Sequence, residues 1–122
     1  MTSLIDDNTV NINDLKRIVN EFVDKRKWNK YHTPKNLIQA IGIEVAELSE
    51  LFLFKEPKIE EIIKDSMLME DISDEVSDIF IYLLSLINIL GIDLTKAFLN
   101  KMKKNNQKYP FEEFNDGSYV KK

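Results

Sequence analysis

Apolar residues recur along this chain at three- and four-residue intervals, the mark of helices that pack by one face. Leu15, Ile18, Val19, Phe22 and Val23 predict a first helix, capped by Asn13 or Asp14 and reaching about residue 28. Thr33-Pro34 pairs an N-cap with a proline suited to the first helical position, so residues 29–33 read as a loop. Leu37, Ile38, Ile41, Val45, Leu48 and Phe52 predict a second helix, from residue 34 to about residue 54, which Pro57 interrupts. Residues 58–66 read as a short helical or irregular connection. A third helix, about 67–90, is apolar almost all round in its second half and needs cover on several sides, from its own bundle or another subunit. Gly91 ends it, and Asp93 caps a fourth helix to about residue 108 with Leu94, Ala97, Phe98 and Met102 inward. No stretch alternates like a strand. The pattern predicts an all-α bundle of four to five helices.

With 122 residues the chain can bury its own core, so we expect one domain with a core over about 14–110 and a polar tail over 111–122. The absence of cysteine excludes disulfides and thiolate metal sites and is compatible with a cytoplasmic protein. TSLIDDNT (2–9) is polar and acidic and shows no signal-peptide pattern. The nearly apolar run 76–90 contains Asp78 and Asn88 and is shorter than the ~20 residues of a membrane span. A net charge of −4 argues against a sequence-independent nucleic-acid binder. We therefore expect neither a membrane nor a nucleic-acid polymer as partner.

The acids change the picture. Glu44/Glu47 and Glu75/Asp78 each lie three residues apart inside apolar helices, and residues three and four apart share a helix face. Glu44 and Glu47 line up with Ala40 and Leu51; Asp71, Glu75, Asp78 and Tyr82 form a matching line on the third helix. Gathered carboxylates repel and are costly to desolvate unless a cation sits among them. Oxygen donors without histidine or cysteine suit Mg²⁺ or Mn²⁺ better than Zn²⁺, and Mg²⁺ commonly completes its shell with phosphates. A di-iron site would want Glu-x-x-His pairs, and His32, the sole histidine, precedes the second helix. Taken alone, each pair reads better as a solvated face, as Glu21, Glu50, Glu60 and Glu61 do; two pairs embedded in apolar helices at matching depths shift the reading towards a metal site.

FVDKRKWNKYHTPKNL (22–37), EVAELSELF (44–52), DEVSDIFIYL (74–83) and KMKKNNQKYP (101–110) follow one another in an order and spacing that resemble a known family. It is that of the MazG-like all-α nucleoside triphosphate pyrophosphohydrolases, and the dCTP pyrophosphatase branch in particular. The likeness covers about residues 14–110. It implies cleavage of a nucleoside triphosphate between the α and β phosphates, by a homodimer or a homotetramer built from dimers. It also implies that Glu44, Glu47, Glu75 and Asp78 hold Mg²⁺, with Mn²⁺ as a substitute; Glu47 is our candidate for the acid that orients or deprotonates the attacking water.

By the same resemblance, Lys101, Asn105 and Lys108, which recur on one face of the fourth helix, hold polyphosphate oxygens with Tyr109 and Lys35. Trp28, His32, Asn36 and Phe54 fall where related enzymes build the nucleobase pocket. This chain departs from the branch's pattern at two places: Phe54 stands where tryptophan is more usual, and Lys108 stands where arginine is usual. Ile43 before Glu44 means that the double-glutamate start of classical MazG is missing, as is usual in the dCTP pyrophosphatase branch. Lysine keeps the charge of arginine but loses its bidentate fork. The expected substrate is dCTP or a modified dCTP. The same chemistry on another nucleotide, and a non-catalytic helical interaction module, are the alternatives.

Overall fold

The structure, a computed structural model, describes residues 5–119. The first residues of the polar N-terminal stretch (1–4) and the end of the expected tail (120–122) lie outside the described residues. Among the described residues six helices follow one another: α1 Ile12–Lys25, α2 Pro34–Glu50, α3 Ile59–Lys64, α4 Ser66–Leu90, α5 Leu94–Lys108 and α6 Phe111–Phe114. Among these residues there is no strand, and no single helix is long and apolar enough to cross a membrane. The chain forms two compact units, Met1–Gly91 and Ile92–Lys122.

In the first unit α4 is the central element, packing mainly against α2 and also against α1 and α3. The core at these contacts consists of Val19 and Val23 of α1, Leu37 of α2, and Leu84 and Ile87 of α4. Leu37, at 1% exposure, is the most deeply buried side chain. Asn88 interrupts the apolar run of α4 for a reason: its Nδ2 donates to the Lys16 carbonyl of α1 at 3.0 Å. A half-buried amide needs such a partner, and here the partner ties two helices together.

The helix ends differ from the sequence expectations in instructive ways. Asn11, not Asn13 or Asp14, caps α1; its side chain accepts from the Asp14 amide while the Asp14 carboxylate accepts from the Asn11 amide. At the other end, the Trp28 amide donates to the Val23 carbonyl and the Lys27 amide to Asp24, with Lys27 at φ 56°. This Schellman closure stops α1 at Lys25, short of Trp28. Thr33 caps α2 as expected, with Pro34 behind it. The second helix ends at Glu50 because the next residues tighten into i→i+3 turns, Leu53 to Glu50 and Lys55 to Phe52, and Phe54 takes φ 60°. Asp65 caps α4, and Gly91 closes it at φ 66°.

The second unit holds α5, capped by Asp93, and the single turn of α6. Tyr109 packs edge-on against Phe114, with ring centroids 5.4 Å apart, so the expected polar tail contains an ordered turn. Leu94 is half-buried, but Ala97, Phe98 and Met102 are exposed, contrary to the inward face the sequence predicts. A helix with only a one-turn companion in its unit has little against which to bury such a stripe. On α4 likewise, Val76, Ile81, Leu83 and Leu90 stay exposed in the single chain.

Candidate active site

The packing of α2 on α4 brings the acid pairs together. One carboxylate oxygen from each of Glu44, Glu75 and Asp78 lies within 4.8 Å of the others. Glu44 and Glu75 are half-buried, whereas Asp78 and Glu47 are exposed. Glu47 lies outside that three-oxygen group but close enough for its charge to act on both Glu44 and Glu75. Asp71, in line with them by spacing, is not part of the group.

The electrostatics reflect this crowding. Burial, hydrogen bonds to Glu75 and Glu47, and the charges of Glu47 and Asp78 push the Glu44 carboxyl up from 4.5 to about 7. For Glu75, the hydrogen bond with Glu44 favours the charged form, but burial and the charges of Glu47 and Asp78 outweigh it, so its pKa is also raised. Each of the two also has an oxygen, Oε2, that is shut off from solvent and has no partner. A buried unsatisfied oxygen is costly, and a divalent cation would satisfy several at once. The donor set, all carboxylate oxygen, fits a hard cation such as Mg²⁺.

Beside the acids lies a cavity of about 610 Å³, walled by α1, the α1–α2 loop and α4. Glu44 and Asp78 stand at its edge with His32, Trp28 and Tyr82, while Leu15, Ile18, Phe22 and Ile81 make its sides apolar. The exposure of Ile18 and Phe22 thus has a use: the whole apolar stripe of α1 lines this space, with Val19 and Val23 buried in its wall and Ile18 and Phe22 still open. Trp28 meets Phe22 edge-on at 5.7 Å, and the Arg26 guanidinium lies 3.7 Å over the Phe22 ring. His32 is half-buried near Tyr82, with ring centroids 6.4 Å apart, and its Nδ1 is buried without a partner.

Further residues singled out in the sequence are described within their own units. Asn36 is taken up by the loop, donating from Nδ2 to the Tyr31 carbonyl at 2.9 Å, and does not line the cavity. Phe54 is 98% exposed in the turn after α2, and Lys35 is exposed in the first turn of α2. Lys101, Asn105, Lys108 and Tyr109 belong to the second unit. There Lys101 and Lys108 are exposed, Asn105 contacts the Met102 sulfur at 3.8 Å, and the Lys108 ammonium sits 5.3 Å over the Tyr109 ring. Among the cavity residues, Tyr82, Ser77 and Ser85 have no role in the sequence reading, although Tyr82 continues the acid line of α4.

Comparison with known proteins gives the family. Residues 39–119 match the MazG-like family. The chain belongs to that family. Curated MazG-like relatives include dCTP pyrophosphatase 1 of Rattus norvegicus, 36% identical over 104 residues, and that of Bos taurus, 38% identical over 104 residues. The aligned region takes in 81% of this chain and 59% of those proteins, so the match spans well under two thirds of their length. A pyrophosphatase from Archaeoglobus fulgidus, known from a crystal structure, superposes with a TM-score of 0.74 at 40% identity, over 87% of this chain and 98% of its own.

Proposed function

We propose that this MazG-like chain is a Mg²⁺-dependent nucleoside triphosphate pyrophosphohydrolase, with dCTP or a modified dCTP as its preferred substrate. The observation that carries the reading is the cluster of Glu44, Glu75 and Asp78 at the edge of an apolar-walled cavity. The pyrophosphatase names of its relatives support it. Glu44, Glu47, Glu75 and Asp78 would hold Mg²⁺, or Mn²⁺ in its place. When bound, the metal supplies positive charge that offsets the charge developing on the phosphates.

In this reading the chain's own groups divide the remaining work. Glu47, exposed beside the pair, orients a water and accepts its proton as the water oxygen attacks the α-phosphorus. The bond from that phosphorus to the bridging oxygen breaks, releasing pyrophosphate and leaving a nucleoside monophosphate. Trp28 and His32 receive the base, while Asn36 steadies the loop that carries His32. Phe54, on its exposed turn, would add a stacking face. Lys101, Asn105, Lys108, Tyr109 and Lys35 are proposed as phosphate ligands, the first three because they share one helix face. The uncovered apolar residues of α4 and α5 favour a homodimer or homotetramer, and we place the enzyme in the cytoplasm as a housekeeper of the nucleotide pool.

A cavity of about 610 Å³ has room for more than a pyrimidine, which keeps a broader nucleotide preference as the second reading. The test is pyrophosphate release from a panel of dNTPs and NTPs with Mg²⁺ or Mn²⁺, beside the Glu47→Gln variant. Release from dCTP or its analogues, lost in the variant, supports the reading. Release from a wider set moves the assignment to the second. No release from any nucleotide leaves a helical interaction module.

A further inference from the structure

Arg26 lies against rings rather than against acids. Among the described residues no carboxylate pairs with it: Glu21 approaches Arg17 at 3.9 Å, and Asp24 accepts from the Asn29 amide group at 2.7 Å. The guanidinium instead sits 3.7 Å over the centroid of the Phe22 ring and 5.9 Å from that of Trp28. Its Nη1 also donates to the Phe22 carbonyl at 3.1 Å. A cation over an aromatic face is attracted by the negative face of the ring, and a flat guanidinium stacks there as a lysine ammonium does not.

The rings it holds belong to the cavity. Phe22 and Trp28 both line that space, and Arg26 is not among its lining residues. Trp28 stands beyond the end of α1, where its amide closes the helix on the Val23 carbonyl. The backbone thus fixes where the indole starts, while packing decides where it points. The indole is 42% exposed and meets Phe22 edge-on at 5.7 Å, with the ring planes at 72°. A ring free to turn must be ordered when a flat ligand stacks on it, at a cost in affinity. Phe22 braces the indole, and Arg26 holds Phe22 by both its ring face and its carbonyl.

We infer that Arg26 is a positioning residue: it clamps Phe22 so that the Trp28 indole is already set to receive the base, without itself touching the nucleotide. The inference rests on the proposed nucleotide reading and adds the residue that presets its base wall. Its signature is an effect confined to ligands that carry a base. A cation acting on phosphates from a distance would instead weaken every polyphosphate ligand alike.

The test is calorimetric binding, in Mg²⁺, of the α,β-imido analogue of dCTP and of inorganic tripolyphosphate, which has no base. Arg26→Met keeps an unbranched stem but loses the charge. It should bind the dCTP analogue about two- to fivefold more weakly, the worth of one exposed cation–π contact, and tripolyphosphate as the wild type does. Arg26→Lys should recover part of the loss. In dCTP turnover the KM should rise by the same factor with kcat unchanged, and melting curves show that both variants are folded. Unchanged binding of the dCTP analogue in Arg26→Met overturns the inference. Equal weakening of both ligands also overturns it, as the mark of charge at a distance or of general damage. Trp28→Ala keeps the two readings apart. If it weakens the dCTP analogue and Arg26→Met does not, the base wall stands and the role of Arg26 is wrong. If Trp28→Ala binds the dCTP analogue as the wild type does, the base lies elsewhere, and the base assignment falls together with the inference that rests on it.

Discussion

Glu44 on α2 and Glu75 on α4 each bring a carboxylate oxygen within 4.8 Å of the other and of Asp78, and each has an oxygen, Oε2, that meets neither solvent nor partner. Two acids in that relation hold a proton readily and ought to exchange it for a cation.

The first prediction concerns pH and metal together. The Glu44 carboxyl is raised from 4.5 to about 7, so the folded chain binds this proton more tightly than the unfolded one. Its contribution to stability is fully present below 4.5 and is lost as pH rises through about 7. Glu75 is shifted in the same direction. Without metal, the melting temperature should therefore fall between about pH 5 and pH 8. Mg²⁺ should raise it, and more at the higher pH, because proton and cation compete for the same oxygens. Melting curves at fixed ionic strength, with and without MgCl₂, check this; a Mg²⁺ effect independent of pH would count against the shared site.

Neutralising the pair separates stability from activity. In metal-free protein near pH 8, Glu44→Gln and Glu75→Gln should melt no lower than the wild type, since each removes repulsion from a crowded cluster. Both should lose most of the Mg²⁺-induced rise in melting temperature. Pyrophosphate release should fall by on the order of a hundredfold or more, the usual scale for losing a group that stabilises transition-state charge.

For Glu47 the pattern should differ. It lies outside the three-oxygen cluster, so Glu47→Gln should retain part of the Mg²⁺ thermal shift. Its turnover should nonetheless drop by roughly 10²–10⁴-fold, the range for a lost general base. Full activity in this variant, read by pyrophosphate release, would remove Glu47 from the proton-accepting role.

Away from the acids, Asn88→Ala should cost about 1 kcal/mol of stability by deleting the bond to the Lys16 carbonyl. Urea denaturation would read the change, while Mg²⁺ should still produce its thermal shift.

Lys27 makes a further stability test. An L-residue in the left-handed conformation costs ~1 kcal/mol or more, which glycine avoids at some entropic expense. Lys27→Gly should stabilise the protein by about 0.5 kcal/mol and Lys27→Ala should not, so the comparison isolates backbone strain from loss of the lysine side chain.

Much of the fold is legible because the apolar spacing and the caps agree. Thr33-Pro34, Gly91 and Asp93 mark three helix boundaries within a residue. The errors fall where local turn closures three to five residues long decide. Nothing in the local pattern at Lys27 or Phe54 announces a positive φ, so α1 and α2 read too long. The gathering of Glu44, Glu75 and Asp78 follows from helical periodicity once two acid lines are recognised. The cavity beside the α1 stripe does not, because periodicity records that Ile18 and Phe22 are apolar without saying whether a side chain or a cavity lies opposite. The inward face expected of α5 fails for another reason: a stripe predicts that something covers it, not that the same chain does.

Trp28 is the sole tryptophan in the sequence, and it stands at the edge of the cavity, edge-on to Phe22 and under the fringe of the Arg26 guanidinium. The protein thus carries its own optical probe in the wall of the pocket. Its indole emission comes from one position, so a change in colour or intensity on adding a ligand reports on that cavity alone, without a label.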